Sequence, residues 1–130
     1  MKRVLIFLLF VFTGGCSNYT NPLIGHWKID LKRTLASTEK GSKPYLCFQK
    51  GPCGQTELIF TRNTTTAITY TRKGNELMRH STPYKIISIT NAKVEIELPK
   101  EGSVIYEIHD DMIYHTYKKL GFTEYYQLQK

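Results

Sequence analysis

The sequence predicts an all-β protein, a small antiparallel up-and-down barrel of about eight strands preceded by an N-terminal signal peptide. Three observations lead there. From Thr56 onward, short runs rich in β-branched and aromatic residues recur at fairly regular spacing, the pattern of a sandwich or barrel. The clearest run, KVEIELP (93–99), alternates Val94, Ile96 and Leu98 with Lys93, Glu95 and Glu97, giving one dry face and one wet. The links between runs are short, and short links join antiparallel neighbours, because parallel pairs need long crossovers.

At the N-terminus, Lys2 and Arg3 precede an unbroken apolar run from Val4 to Phe12. A helix needs about 20 apolar residues to span a hydrocarbon core. The run is much shorter, and its length suits the apolar region of a secretory signal. Small residues follow at Thr13, Gly14 and Gly15, and then Cys16. The stretch Phe12-Thr13-Gly14-Gly15-Cys16 resembles the lipobox of bacterial lipoprotein precursors, with Thr13 where most carry Leu. That resemblance implies cleavage of residues 1–15 and lipidation of Cys16, with diacylglycerol on its thiol and an acyl chain such as palmitate on its new amino group. Several such chains, at roughly 0.8 kcal/mol per buried methylene, hold a protein durably in a bilayer. In lipoproteins of enteric-type bacteria Asp after the cysteine signals retention, so by the same resemblance Ser17 implies the outer membrane, with the domain facing the periplasm, in an organism with two membranes. The alternative is an ordinary secretory signal followed by a chance cysteine. Residues 16–22 then form a lipidated tether and 23–130 the barrel domain.

Three cysteines are an odd number for an exported chain. Lipidation of Cys16 leaves Cys47 and Cys53, with Gly51 and Pro52 between them favouring a turn that brings the sulfurs together. An oxidising compartment allows that disulfide to persist. A redox pair normally has the closer C-x-x-C spacing, and zinc needs further ligands, which no nearby histidine supplies. The precursor carries a formal +7, and loss of Lys2 and Arg3 leaves +5 on the mature side chains. A basic surface suits anionic lipid, cell wall or an acidic protein, but it is equally a solvated surface with no dedicated partner. No dense Lys/Arg run occurs, and export argues against a nucleic-acid partner.

The domain begins with GHWKID (25–30), followed by a variable segment. The remaining strands are expected at 56–62, 65–72, 83–90, 93–99, 103–109, 112–118 and about 121–129. Turn signals separate them at Arg62-Asn63, Lys73-Gly74-Asn75, Thr90-Asn91, Lys100-Glu101-Gly102, Asp110-Asp111 and Leu120-Gly121. A two-residue loop at Asp110-Asp111 pairs His109 with Met112 and Ile108 with Ile113, and sets Tyr106 against His115 and Val104 against Tyr117. The six residues Val104, Tyr106, Ile108, Ile113, His115 and Tyr117 then share the inward face, and Glu107, His109, Tyr114 and Thr116 look outward. A slip by one residue would bury Glu107 instead.

Gly25-x-Trp27 on a first strand, followed by a run of antiparallel strands, resembles the G-x-W signature of lipocalin-like, calycin-type barrels. The resemblance implies that Trp27 closes one barrel end. Eight strands leave an interior that side chains nearly fill or one small ligand occupies. Residues expected to line the pocket or its end wall are Trp27, Phe60, Tyr84, Tyr106, His115 and Tyr117. His115 between two tyrosines is either a group that orients a ligand or a core residue bonded to a tyrosine. Outward Tyr114 beside Tyr125 is either a recognition patch or a cross-strand pair shielding the sheet.

No enzyme is expected. No serine stands in a nucleophile motif, no glycine-rich phosphate loop occurs, and Asp110 and Asp111 are ordinary turn formers. His109 and His115 fall on opposite faces, so no metal is expected, and no cofactor is implied. The leading expectation is a membrane-anchored, non-catalytic binding domain for a small apolar or amphipathic ligand. The alternatives are a protein-binding module, such as an inhibitor or immunity protein of an envelope enzyme, and a structural accessory of an envelope assembly. The protein-binding alternative uses the loop around Cys47 to Cys53 with Tyr45 and Lys50.

Overall fold

The computed structural model describes residues 21–130, so the signal peptide, Cys16 and most of the tether lie outside the described residues. Nine strands form one antiparallel sheet: β1 (Gly25–Ile29), β2 (Thr56–Phe60), β3 (Thr64–Tyr70), β4 (Glu76–Pro83), β5 (Lys85–Ile89), β6 (Lys93–Leu98), β7 (Gly102–His109), β8 (Met112–Tyr117) and β9 (Phe122–Leu128). Their order is β4-β3-β2-β1-β9-β8-β7-β6-β5. Sequence neighbours are sheet neighbours except β4 and β5, which form the two edges, and β1 joins β9 through Trp27 opposite Leu128 and Ile29 opposite Tyr126.

The sheet curls into a barrel that is nearly closed. Each step along the order reverses strand direction, so the two edge strands, β4 and β5, point the same way. Only Tyr84 separates them. They are therefore one long strand bent at Tyr84, whose first half pairs with β3 and whose second half pairs with β6. The barrel closes through that bend instead of through a ladder. The bend is fastened by the Tyr84 N–H, which donates to the Asn63 carbonyl at 3.1 Å, and by the Tyr84 hydroxyl, which donates to the Thr61 carbonyl at 2.6 Å.

Seven of the strands expected from the pattern are present with shifted ends, and the eighth, 83–90, is the shorter β5. The additional strand is β4. In ELMRHSTP, Leu77 and Met78 are adjacent and nothing alternates, because almost the whole strand is exposed and no buried face imposes a period of two. The variable segment folds as α1 (Leu31–Ala36), α2 (Lys43–Lys50) and a 3-10 turn (Pro52–Gln55). Asp30 caps α1 by accepting the Arg33 N–H at 3.1 Å, and Ser42 caps α2 by accepting the Tyr45 N–H at 3.2 Å. Tyr45 and Lys50 therefore stand on a helix, not on a loop. The disulfide Cys47–Cys53, with Cα atoms 5.3 Å apart, ties the end of α2 to the 3-10 turn leading into β2. Closing so short a loop contributes about 2 kcal/mol in the chain-entropy model.

Helix α1 also substitutes for a strand. Where β1 ends, the Tyr125 N–H donates to Thr34 Oγ1 at 3.0 Å and the Thr123 N–H to Ser37 Oγ at 3.0 Å. A hydroxyl of α1 and one of its C-cap residue thus satisfy the unpaired side of β9, as buried backbone requires. The core gathers Leu23, Trp27, Phe48, Phe60, Val94, Ile96, Ile113, Phe122 and Tyr126 inside the barrel.

Candidate functional site

The hairpin at Asp110-Asp111 has the expected register, with His109 opposite Met112, Ile108 opposite Ile113 and Glu107 opposite Tyr114. Asp110 supplies the left-handed backbone at φ 53° that a two-residue turn needs. Beyond Glu107 and Tyr114 the β7–β8 ladder stops, so Tyr106 with His115 and Val104 with Tyr117, expected as the next pairs, are not ladder partners. There the His115 ring fills in, its Nδ1 lying 3.0 Å from the Ile105 carbonyl. A carbonyl only accepts, so in the neutral ring Nδ1 carries the proton and Nε2 is left with a lone pair.

Five of the six residues expected at the pocket form a continuous chain of ring contacts through the barrel. Tyr84 meets Phe60 edge-on at 5.6 Å, and Phe60 meets Tyr106 at 5.6 Å. Tyr106 lies 5.8 Å from His115, and His115 lies 4.5 Å from Tyr117. The series continues from Tyr117 to Phe122 at 4.8 Å and on to Phe48 of α2 at 5.4 Å. Trp27 stands apart from this series. Its indole N–H donates to the Leu23 carbonyl at 2.8 Å, and the side chain is buried in the core. Gly25 holds φ at +149°, and a Cβ there would meet Leu128 Cδ1 at 2.9 Å. The glycine of the G-x-W pattern is therefore required by its backbone conformation, while the Leu128 methyl, the end of a flexible side chain, could shift to admit a Cβ.

These residues divide between core and cavity. Trp27 and Phe60 are fully packed, and Tyr84 borders a hollow of about 550 Å³ at the strand bend with Pro83 and Pro99. Tyr106, His115 and Tyr117 line a larger open cavity of about 820 Å³. Its walls are Leu58 and Ala67 on one side and Leu98 and Val104 on the other, and Lys118, Lys119 and Leu120 stand at its rim. It opens where β4 parts from the turn between β6 and β7, the gap left by a barrel that closes only through a bend.

Two residues of this region were not singled out from the sequence. His80, on β4, lines the cavity opposite His115. Glu124 lies behind Tyr117, directly across the ladder from His115. Its Oε1 accepts from the Tyr117 and Tyr126 hydroxyls, each at 3.1 Å. Burial raises the Glu124 pKa above the usual glutamate value, while the two tyrosine hydrogen bonds and nearby His115 pull it back down. The same burial, with the carboxylate alongside, pushes Tyr106, Tyr117 and Tyr126 above the ordinary phenol range, so all three remain protonated donors. A signal for Glu124 did exist. In FTEYYQL, Phe122, Glu124, Tyr126 and Leu128 share one face, and an acid among three large hydrophobics marks an interior carboxylate. His80 left no such trace, because β4 has no alternation.

Among the described residues, no three His, Cys, Asp or Glu side chains gather as metal ligands. On the outer face, Tyr114 and Tyr125 pair at 5.3 Å.

No protein-family model matches the chain, and no curated protein matches it. Among solved structures it is similar to a lipocalin-like protein from Bacteroides uniformis ATCC 8492, at 14% identity and a TM-score of 0.44, over 84% of this chain and 100% of that one. At that level of likeness, the reading of the site rests on this chain's own geometry.

Proposed function

We propose that this protein is a non-catalytic binding domain for a small apolar or amphipathic molecule, anchored through acylated Cys16 to the outer membrane and facing the periplasm. The observation that carries the binding part is the cavity of about 820 Å³. Ligand pockets commonly measure roughly 300–1,000 Å³ and combine apolar walls with a few converging polar groups. Here Leu58, Ala67, Leu98 and Val104 supply the apolar wall, and Tyr106, His115 and Tyr117 supply the polar group. A ligand's apolar body would lie against the aliphatic wall. Its polar end would meet the His115 Nε2 lone pair, with Tyr117 held in orientation from behind by Glu124. Anchoring is supported by the lipobox-like Phe12–Cys16 segment.

The test is native mass spectrometry of the protein from its host envelope, alongside the variants His115→Leu and Ala67→Trp. A reproducible excess mass that is lost on denaturation and absent from both variants is the expected result. A bare wild-type protein that also fails to take up long-chain amphiphiles on titration refutes the binding reading. Cys16→Ser tests the anchor separately: the wild-type protein should gain acyl mass and fractionate with membranes, and the variant should do neither.

A further inference from the structure

The topology sorts the connections onto two ends of the barrel. The chain enters at one end through Asn21–Ile24, and the same end carries the β2–β3, β5–β6 and β7–β8 turns and the C-terminus. The opposite end carries α1, α2, the disulfide and the β3–β4, β6–β7 and β8–β9 turns. The rim residues of the cavity, Glu101, Lys118, Lys119 and Leu120, belong to that opposite end.

The entry end is pinned. Asn21 Nδ2 donates to the Tyr84 hydroxyl at 2.7 Å, Asn21 Oδ1 accepts the Leu23 N–H at 2.9 Å, and Leu23 is fully buried. Asn21 is therefore fixed to the strand bend, and β5 runs from that bend toward the entry end. The whole of β5 is exposed, with a free edge. Ile86, Ile87 and Ile89, together with Ile24 at the chain entry, are 39–50% exposed. Ile86 and Ile89 stand opposite buried Ile96 and Val94 and so share the inner face, exposed only because β5 has an open edge, while Ile87 lies in the irregularity between Ile86 and Ser88. An edge strand carrying three part-exposed isoleucines, beside the chain entry with Ile24, is the kind of apolar surface that marks a contact.

We infer that this patch rests on the bilayer to which Cys16 is attached, so that the cavity mouth points away from the membrane. The inference depends on the acylation of Cys16 proposed above. Five residue steps separate Cys16 from Asn21, and fully extended they span at most about 18 Å. Because the Asn21 side chain is bonded to the Tyr84 hydroxyl, the bend stays within about that reach of the headgroups, and β5 runs from it toward the entry end. A short tether turns docking of a modest apolar patch into an intramolecular event with a high effective concentration. Charge at this end is mixed: Arg62, Lys85 and Lys93 stand against Asp110 and Asp111, the latter bonded to Lys130 at 2.8 Å. Apolar side chains are as exposed at the opposite end, at Leu46, Leu77, Met78 and Leu120, so the short tether decides which end meets the bilayer and the β5 isoleucines are the apolar surface it brings there. A second copy is a poorer occupant, since Lys85 and the irregularity between Ile86 and Ser88 blunt the β5 edge against strand addition.

The orientation is read with the mature acylated protein in vesicles of phosphatidylethanolamine and phosphatidylglycerol whose acyl chains are brominated. Cys47 and Cys53 are joined and Cys16 is blocked by lipid, so Ile87→Cys or Lys119→Cys provides a single labelling site. A fluorophore at position 87 should be quenched several-fold more than one at position 119. Equal quenching, or greater quenching at position 119, overturns the inference while leaving the anchor intact. Fluorescence at position 87 that is unquenched by lipid but shows energy transfer between differently labelled copies assigns the patch to self-association and also overturns it. A wild-type protein that fails to float with the vesicles removes the anchor itself, and the orientation with it.

Discussion

Replacing Thr34 by Val removes one hydroxyl and leaves the shape of the side chain almost unchanged. Thr34 is fully buried, and its Oγ1 is the acceptor for the Tyr125 N–H at 3.0 Å. Beyond Ile29 no strand lies beside this part of β9, so the valine variant strands that N–H away from water. A buried donor without a partner costs about 1–3 kcal/mol. The Thr34 carbonyl, which accepts from Thr38 Oγ1 at 2.6 Å, is untouched, so the helix end should survive. For a domain of this size the loss corresponds to a melting point lower by roughly 4–12 °C. Urea denaturation reports it through Trp27, the single tryptophan, which is only 2% exposed when folded. Thr34→Ser keeps the hydroxyl and should retain slow hydrogen exchange at the Tyr125 amide, whereas Thr34→Val should lose it. A valine variant within about 0.5 kcal/mol of wild type, with Tyr125 still protected, would show that the helix hydroxyl does not complete the β9 ladder.

The other predictions concern the site and its frame. Glu124 has a folded-state pKa raised by burial, so the folded protein binds the extra proton more readily than the unfolded chain. Its contribution is most favourable below the ordinary glutamate pKa of 4.5 and is lost as pH rises through the raised folded value. The stability of Glu124→Gln relative to wild type should therefore climb between acid and neutral pH in parallel denaturation curves, and a flat difference would contradict that sign. Gly25→Ala forces a side chain into φ +149° and against Leu128, and is expected to cost about 1–3 kcal/mol in the same urea assay. Ala67→Trp places a large ring in the cavity from the inner face of β3. It should weaken amphiphile binding by at least about tenfold, or roughly 1.4 kcal/mol, with little change in the unfolding midpoint, as calorimetric titration would read.

How much of this was legible beforehand follows from which interactions are local. Alternation in KVEIELP and the pairing around Asp110-Asp111 express a buried face and a two-residue turn, both written in adjacent residues, and both appear in the fold. The G-x-W pattern carried its own physics, the backbone angle at Gly25 and the indole's bond to the Leu23 carbonyl, both within the five residues Leu23 to Trp27. Two residues six apart with Gly and Pro between them were enough to anticipate the Cys47–Cys53 bond. Strand β4 escaped because exposure on almost its whole length erases periodicity, and α2 escaped because its cap, Ser42, stands in an otherwise weakly patterned segment.

By itself, then, the sequence determined the all-β class, the antiparallel order from β5 to β9, the hairpin register and which rings face inward, because each follows from neighbours within a few residues. Only the tertiary structure decided that β4 and β5 are one strand bent at Tyr84, that the resulting gap leaves an open cavity, and that Glu124 is held by tyrosines from its own and a neighbouring strand. Those outcomes depend on how far a curled sheet travels before its ends meet. That distance is set by the twist and stagger summed over every strand, and no single stretch of the chain encodes the sum.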